Sequence, residues 1–244
     1  MIGGAGAPAR PVEYHPQAMR TVPADAIRSP RDLAPCIDHT LLAPGATHAD
    51  LERVCAEART HGFAAVCVHR EVVGEARRLL AGTRVLAVAV VDFPRGEGAT
   101  GARVVEALEA VRSGAEEIDV VAPLPALLAG RHEAVLDDLR AIVRAVRVPV
   151  KVILETARLD RDRKVVAAAL ARCAGAAYVK TSTGFAGGGA TLDDVALLRA
   201  VVGDALGVKA SGGIRTAADA RAMIAAGASR IGSSASVEIV TGAF

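Results

Sequence analysis

The sequence contains no tryptophan and no asparagine, and its aromatic residues amount to two tyrosines and four phenylalanines. So few aromatic rings leave little material for the stacking platforms that hold single-stranded nucleic acid. The charge is nearly balanced, with 29 basic and 27 acidic residues, so no surplus of positive charge favours binding to a phosphate backbone. We therefore expect no nucleic-acid partner.

Long apolar segments are also missing. No aliphatic run exceeds seven residues, as in Val85–Val91, whereas a membrane span needs about 18 or more. The first 30 residues are rich in Pro, Ala and Gly and lack the apolar core of a signal peptide. The four cysteines show no CxxC spacing, which is typical of reduced thiols. These absences predict a cytoplasmic protein with no membrane association.

What the sequence does contain is a repeated rhythm of short apolar runs and longer stretches with helical spacing. Strands alternating with helices favour a parallel sheet, because each parallel crossover needs a helix-length connection. Eight such units predict an α/β fold, a closed TIM (β/α)8 barrel over residues 33–244, preceded by a loose proline-rich N-terminal arm over residues 1–32. An open doubly wound sheet is the alternative. The predicted strands are Cys36–Thr40, Ala64–His69, Arg84–Val91, Glu117–Ala122, Val150–Glu155, Ala177–Thr181, Gly207–Ser211 and Arg230–Ser233.

The strands carry polar residues at what the sequence suggests are their ends. In a TIM barrel the active site is built at the carboxyl ends of the strands. Apolar strands that terminate in charged groups are not built for packing alone, so the pattern indicates an enzyme. The residues are Asp38, Asp92, Asp119, Glu155, Lys180, Lys209 and Ser233.

Lysine is rare, with four lysines against 25 arginines. Lys180 and Lys209 lie in the sixth and seventh predicted strands, which are neighbours in a barrel. Each ammonium group disfavours the charge of the other, so we expect one amine to be neutral near pH 7 and able to attack a carbonyl. Asp119, in the fourth strand, is expected within reach of Lys180 as a proton shuttle or as an ion-pair partner.

Two glycine-rich turns follow the last two strands. They are Gly212-Gly213-Ile214-Arg215 and Gly232-Ser233-Ser234, the second preceding a short predicted helix over Ala235–Val240. In this fold the loops after strands seven and eight commonly bind phosphate. We expect a phosphate site there rather than turns without a ligand.

A third glycine pattern, GEGATG at residues 96–101, matches a dinucleotide-binding fingerprint. Asp92-Phe93-Pro94-Arg95 separates it from its strand, where the fingerprint requires a tight turn. We interpret it as a loop over the barrel mouth and expect no nucleotide cofactor. The six histidines show no metal-ligand spacing, so no metal is expected either.

Taken together, these motifs resemble those of the deoxyribose-phosphate aldolase family over about residues 33–240. The motifs that carry the resemblance are Ile37-Asp38-His39-Thr40-Leu41-Leu42, Glu117-Ile118-Asp119-Val120-Val121, Lys151-Val152-Ile153-Leu154-Glu155-Thr156, Val179-Lys180-Thr181-Ser182-Thr183-Gly184-Phe185, Lys209-Ala210-Ser211-Gly212-Gly213-Ile214-Arg215-Thr216 and Arg230-Ile231-Gly232-Ser233-Ser234.

The resemblance implies reversible cleavage of 2-deoxy-D-ribose 5-phosphate to acetaldehyde and D-glyceraldehyde 3-phosphate. It implies that Lys180 forms the Schiff base, that Lys209 and Asp119 assist proton transfer, and that Asp38 supports this network. It also implies a metal-independent lyase, with a homo-oligomer (dimer or tetramer) possible. The residues it assigns to substrate and phosphate binding are Thr181, Gly184, Gly212, Gly213, Arg215, Gly232, Ser233 and Ser234.

The sequence departs from the family pattern at three places. His69-Arg70 replaces Asn-Pro, Asp92 replaces Gly, and the chain ends in Phe244 without the tail tyrosine that some members carry. The alternatives are a related aldolase acting on another sugar phosphate and a non-catalytic phosphate-binding barrel whose mouth is blocked by Asp92 and His69.

Overall fold

Eight parallel strands close into a barrel in chain order, with β1 pairing with both β2 and β8. The computed structural model describes residues 22–243. The prediction of a TIM barrel is confirmed, and the open-sheet alternative is wrong because the first and last strands pair. The strands are β1 Ile37–Leu41, β2 Ala65–Val68, β3 Leu86–Val91, β4 Glu117–Val121, β5 Val150–Ile153, β6 Tyr178–Lys180, β7 Gly207–Ser211 and β8 Arg230–Ser233.

Helices connect successive strands and cover the outside of the barrel. Polar caps set where several of them begin. In α1, Thr47 Oγ1 accepts from Asp50 N at 3.2 Å, and Asp50 Oδ2 accepts from Thr47 N at 3.0 Å. The helices are α1 His48–His61, α2 Arg70–Leu79, α3 Thr100–Ser113, α4 Leu124–Leu128, α5 His132–Ala145, α6 Arg161–Ala174, α7 Leu192–Val202, α8 Ala217–Ala225 and α9 Ser236–Thr241. Short 3₁₀ helices cover Ala24–Ala26, Pro30–Cys36, Thr156–Arg158 and Gly203–Ala205.

The strands alternate between two environments. Ile118 and Val120 of β4 belong to the large apolar cluster that contains the buried faces of the helices, whereas Asp119 between them is buried among polar side chains. Asp38, Asp119 and Lys209 were expected at strand ends. They lie inside their strands instead, so their side chains are in the barrel interior rather than in the loops.

The predicted N-terminal arm is ordered in its last part. Ile27 and Leu33 are buried, and Ser29 and Asp32 form a capping box before the 3₁₀ helix Pro30–Cys36. That helix packs against α9. Within residues 22–32, the buried side chain of Ile27 joins the apolar core. Residues 1–21 of the arm lie outside the described part, and the domain boundary after residue 32 stays a prediction.

Candidate active site

A cluster of buried charged side chains occupies one side of the barrel interior. Strands β1, β4, β5, β6, β7 and β8 each contribute to it, and each member is at most 6% exposed. Burial of charge is tolerable only where opposite charges are in direct contact. The members are Asp38, Glu117, Asp119, Lys151, Lys180, Lys209 and Arg230.

Asp119 is the centre of this cluster. Its Oδ2 accepts hydrogen bonds from Lys180 Nζ at 2.9 Å and Lys209 Nζ at 2.8 Å, and its Oδ1 accepts from Lys151 Nζ at 2.9 Å. Burial alone would raise the pKa of Asp119, but the three ammonium groups outweigh it and hold the pKa well below its usual range. Asp119 is therefore an ionised carboxylate shared by three lysines.

Strand register explains how residues distant in sequence meet here. Lys180 pairs with Lys209 across β6 and β7, and Asp119 pairs with Lys151 across β4 and β5. Side chains at paired positions of neighbouring strands point to the same face of a sheet. The structure thus brings Lys180, Lys209 and Asp119 together, as expected from their strands.

Asp38 is a second carboxylate that bonds to two cations of the cluster. Its Oδ2 accepts from Lys209 and its Oδ1 accepts from Arg230 at 2.7 Å. Burial opposes ionisation of Asp38, yet Lys209 and Arg230 lower its pKa. In return, burial disfavours the charge of Lys209 but Asp119 and Asp38 raise its pKa overall. Lys209 is held as a cation, with Asp38 behind it as expected.

Three members of the cluster had no role assigned from the sequence. Lys151 Nζ lies 2.5 Å from Glu117 Oε2, and the guanidinium of Arg230 lies 3.5 Å from Glu117 Oε1 and 3.4 Å from the Tyr178 hydroxyl. Burial would lower the pKa of Lys151, but Asp119 and Glu117 raise it. The signal that could have found them is a charged residue at an inward position of an otherwise apolar strand. Glu117, for example, lies two residues before Asp119 in β4 and therefore shares its face.

Of these buried charges, only Lys180 borders a cleft. The cleft has a volume of about 380 Å³ and opens at the carboxyl ends of β1, β6, β7 and β8. Lys180 ends β6 and is 3% exposed, so its amine is reachable from the cleft while still bonded to Asp119. This is the geometry that a nucleophilic amine with a nearby proton acceptor requires.

Most residues predicted to bind phosphate line the same cleft. Gly212, Gly213 and Arg215 come from the β7–α8 loop. From the end of β8 and the turn after it come Gly232, Ser233 and Ser234, and Gly184 comes from the β6–α7 loop. Lys180 and the glycine-rich turns therefore line one and the same cleft.

Thr181 is different from the other predicted binding residues. It is fully buried and is absent from the cleft wall. Its hydroxyl donates to Ser211 O at 3.1 Å and accepts from Ser211 N at 3.0 Å. The prediction that Thr181 binds substrate is not supported, because its side chain is occupied in joining β6 to the end of β7.

Close packing of two loops explains one glycine of the predicted phosphate site. A Cβ on Gly212 would lie 2.9 Å from Gly189 Cα, and a Cβ on Gly189 would lie 2.4 Å from Gly212 O. The contact is sealed by a hydrogen bond from Ala190 N to Gly212 O at 3.1 Å. These glycines let the β6–α7 and β7–α8 loops cross at the cleft without a side chain between them.

The start of the β6–α7 loop is held by Glu155, a carboxylate to which the sequence analysis assigned no separate role. Glu155 is buried after β5, and its Oε2 accepts from Thr183 N at 3.1 Å and Thr183 Oγ1 at 2.5 Å. Thr183 Oγ1 in turn accepts from Phe185 N at 3.1 Å. Phe185 lines the cleft, and its ring meets Phe93 edge-to-face with centroids 5.3 Å apart.

The first four residues of the GEGATG segment form a loop with a packing role, and its last two begin α3. A Cβ on Gly96 would lie 2.1 Å from Ala122 O, so this residue must be glycine for the loop to rest on the end of β4. Asp92 Oδ2 accepts from Gly98 N at 3.0 Å and lies 3.3 Å from Arg103 Nε. The Asp92 carboxylate is thus directed into the loop, and neither Asp92 nor His69 lines the cleft.

Among residues 22–243 no group of three or more His, Cys, Asp or Glu side chains is arranged to hold a metal ion. Over the same residues, no helix has the length and apolar character needed to cross a membrane.

Comparison with known proteins assigns a family. Residues 33–242 match the model of the DeoC/LacD family aldolases. A deoxyribose-phosphate aldolase of Caldanaerobacter subterraneus subsp. tengcongensis is 49% identical over 86% of this chain and 92% of its own length. One from Brevibacillus brevis is also 49% identical, over 85% and 94%. The solved tetrameric structure of deoxyribose phosphate aldolase from Aeropyrum pernix has a TM-score of 0.80 at 35% identity and covers 92% of this chain and 94% of that one. The chain belongs to the DeoC/LacD family of aldolases.

Proposed function

We propose that this protein is a deoxyribose-phosphate aldolase that reversibly cleaves 2-deoxy-D-ribose 5-phosphate to acetaldehyde and D-glyceraldehyde 3-phosphate. The observation that carries the proposal is the position of Lys180, which joins the buried charge cluster to a cleft walled by glycine-rich loops. Relatives bearing that activity in their names, at 49% identity, support the choice of substrate.

Lys180 is the proposed nucleophile. The cluster contains four basic and three acidic groups, so one cation lacks a matching negative charge. Lys209 and Arg230 each contact two carboxylates and Lys151 contacts three, whereas Lys180 contacts Asp119 alone. The cation with the fewest carboxylate contacts is therefore the one that reaches the cleft.

The reaction follows from a neutral Lys180 amine. Its nitrogen adds to the C1 carbonyl of the open-chain sugar, and loss of water leaves an iminium ion. Removal of the C3 hydroxyl proton breaks the C2–C3 bond, whose electrons pass to the iminium as an enamine while D-glyceraldehyde 3-phosphate leaves. Protonation of the enamine carbon and hydrolysis release acetaldehyde and restore the amine.

Lys209 and Asp119 serve the proton transfers. Lys209 donates a hydrogen bond to Asp119, and the Asp119 carboxylate lies 2.9 Å from the Lys180 amine. Proton transfer to and from the Lys180 nitrogen therefore takes place beside a carboxylate. Lys209 is held as a cation and shares Asp119 Oδ2 with Lys180, so the two amines lie next to each other. Asp38 holds Lys209 in place.

The phosphate of the substrate is proposed to bind against Gly212, Gly213, Gly232, Ser233 and Ser234, with Arg215 and Gly184 at the edge of the same cleft. The main-chain N–H groups that glycine-rich turns expose are suited to phosphate oxygens. The hydroxyl of Ser233 is already used, donating to Ile214 O at 2.8 Å and accepting from Ala235 N at 3.0 Å. Its contribution is therefore through the main chain.

We further propose that the chemistry needs no metal ion, because the lysine itself supplies the electron sink. The cysteines at positions 36, 55, 67 and 173 are free thiols, in keeping with a cytoplasmic enzyme. The tetramer described for the Aeropyrum pernix relative supports a homo-oligomer.

Borohydride trapping tests the function. With acetaldehyde and borohydride, the wild-type chain should gain one ethyl group on the peptide that contains Lys180, located by mass spectrometry. Lys180→Ala should gain none, while Lys164→Ala should be labelled like the wild type, since Lys164 pairs with Asp194 outside the cluster. Absence of the adduct from a folded wild-type protein that still binds inorganic phosphate would favour the non-catalytic barrel. Trapping without cleavage of 2-deoxy-D-ribose 5-phosphate would favour an aldolase for another sugar phosphate.

A further inference from the structure

A hydrogen-bond chain runs outside β1, behind the proposed phosphate site. His39 of β1 is 2% exposed, and both of its ring nitrogens have partners. Nε2 lies 2.7 Å from Glu57 Oε2 of α1, and Nδ1 lies 2.9 Å from Ser236 Oγ at the start of α9. The ring of Phe63 packs edge-to-face against it at 5.3 Å. A buried histidine tied at both nitrogens is a rigid link between two helices.

The bonds of this chain continue beyond the histidine. Ser236 Oγ donates to Ser233 O at 3.0 Å, so the hydroxyl that contacts His39 also contacts β8. On the other side of the ring, an ionised Glu57 carboxylate can only accept, so His39 Nε2 donates to it. The ring of His39 is thus bonded to α1 directly and to β8 through Ser236.

Glu57 is an ionised partner of His39. Partial burial would raise its pKa, but the hydrogen bonds from His39 and Arg53 outweigh that effect and lower the pKa of Glu57. Arg53 Nη1 lies 3.1 Å from Glu57 Oε1, the oxygen opposite to the one that faces His39. The His39 ring thus faces a carboxylate that is itself stabilised as an anion.

The chain ends at the cleft. Ser233, whose carbonyl accepts from Ser236, pairs in register with His39 across β8 and β1 and lines the cleft on its other side. Its hydroxyl bridges Ile214 O and Ala235 N, so this residue also joins the two glycine-rich loops. Movement of Ser236 or His39 would therefore displace the main chain that faces the ligand.

We propose that His39 and Ser236 are positioning residues for phosphate recognition, linking Glu57 to the Ser233 main chain. This inference rests on the proposed phosphate site. Neither residue lines the cleft, so they act through Ser233. Their loss should weaken binding of the phosphorylated end of the substrate and leave the chemistry at Lys180 intact.

Ser236→Ala is the decisive variant because it removes one hydroxyl. We expect its KM for 2-deoxy-D-ribose 5-phosphate to rise about three- to tenfold, the worth of a hydrogen bond, with kcat nearly unchanged. For unphosphorylated 2-deoxy-D-ribose, neither constant should change. Ser229→Ala is the matched control, since it also removes a buried hydroxyl that bonds to main chain, at the other end of β8. It should leave both KM values as in the wild type.

Equal changes for both sugars, or the same change in Ser229→Ala, would overturn the proposal and indicate a general loss of packing. If the wild-type enzyme has the same KM for both sugars, the proposed phosphate site is wrong. The role of the hydrogen-bond chain would then be wrong as well. Should Ser236→Ala not fold, His39→Gln is the second variant, since it interrupts the same chain at its middle. We expect the same rise in KM for the phosphorylated sugar and no change for the unphosphorylated one. Equal changes for both sugars in His39→Gln would overturn the proposal.

Discussion

The barrel interior has two unlike halves. On β2 and β3 the inward residues are small and apolar and form a cluster of their own, made of Ala65, Cys67, Val88, Val90 and, from the β1–α1 loop, Leu42. On β4 to β8 and β1, each strand contributes at least one charged residue to the interior. Short side chains on one side leave the middle of the barrel to lysines that reach across from the other. The apolar half also keeps water away, which strengthens every contact among the charges.

The contrast teaches that the charged half is stabilised by the pairing of opposite charges. The apolar half is stabilised by side chains that fill its volume. Removing one charge from the first leaves its partner buried without compensation, whereas shortening a side chain in the second costs only contacts. Three measurements test this difference.

The largest effect is expected from Lys151→Met. It keeps the volume but leaves Glu117 and Asp119 without one of their cations, which should lower the free energy of unfolding by about 3–5 kcal/mol. Lys164→Met removes a lysine from a pair nearer the surface and should cost about 1 kcal/mol or less. Urea denaturation of the two variants measures both. Similar losses would mean that burial does not distinguish the two pairs.

The next effect is the response of stability to acid. Because the pKa values of Asp38 and Asp119 are lowered, the unfolded chain takes up protons before the native chain does. Their stabilisation is complete above the ordinary aspartate pKa of 3.8 and is lost as the pH falls through the native values. At alkaline pH the sign is reversed. Because the pKa of Lys209 is raised, its stabilisation is complete below the ordinary lysine pKa of 10.5 and is lost as the pH rises through the native pKa.

Unfolding free energies measured from neutral pH down to about pH 3 should therefore fall, and less steeply in Asp38→Asn. Asp137→Asn, on the exposed face of α5, should follow the wild-type curve. A wild-type curve that stays flat, or parallel curves for wild type and Asp38→Asn, would contradict the pKa shift of that carboxylate.

The smallest effect concerns Cys67, which lies in the apolar half beside the charges. Burial, reinforced by Asp119, raises the pKa of its thiol to about 11. At pH 8 it should react with iodoacetamide about 100-fold or more slowly than the exposed Cys173, because the thiolate is the reacting form. Equal labelling of the native protein, followed by peptide mapping, would show that the apolar half admits solvent.

Much of this architecture could be predicted because its signals are local. Apolar runs bounded by helical stretches indicated eight strands, and the arrangement of Lys180, Lys209 and Asp119 followed from neighbouring strands. What local signals miss is the direction of a side chain. Thr181 has a residue type common in binding sites but faces Ser211, and Asp92 faces Arg103. Glu155 and His39 act through hydrogen bonds to residues 28 and 197 positions away, which no spacing rule connects.

The pairing of β1 with β8 also bears on how the chain is made. β1 is complete once Leu41 has been synthesised, yet one of its edges has no partner until Ser233 has emerged from the ribosome. Unpaired strand edges invite aggregation, and contacts so far apart in sequence form slowly. Until β8 is available the nascent chain is thus an open sheet, and β8 converts it into a closed barrel. A ribosome that stalls before β8 would release a chain that chaperones and proteases recognise as unfinished.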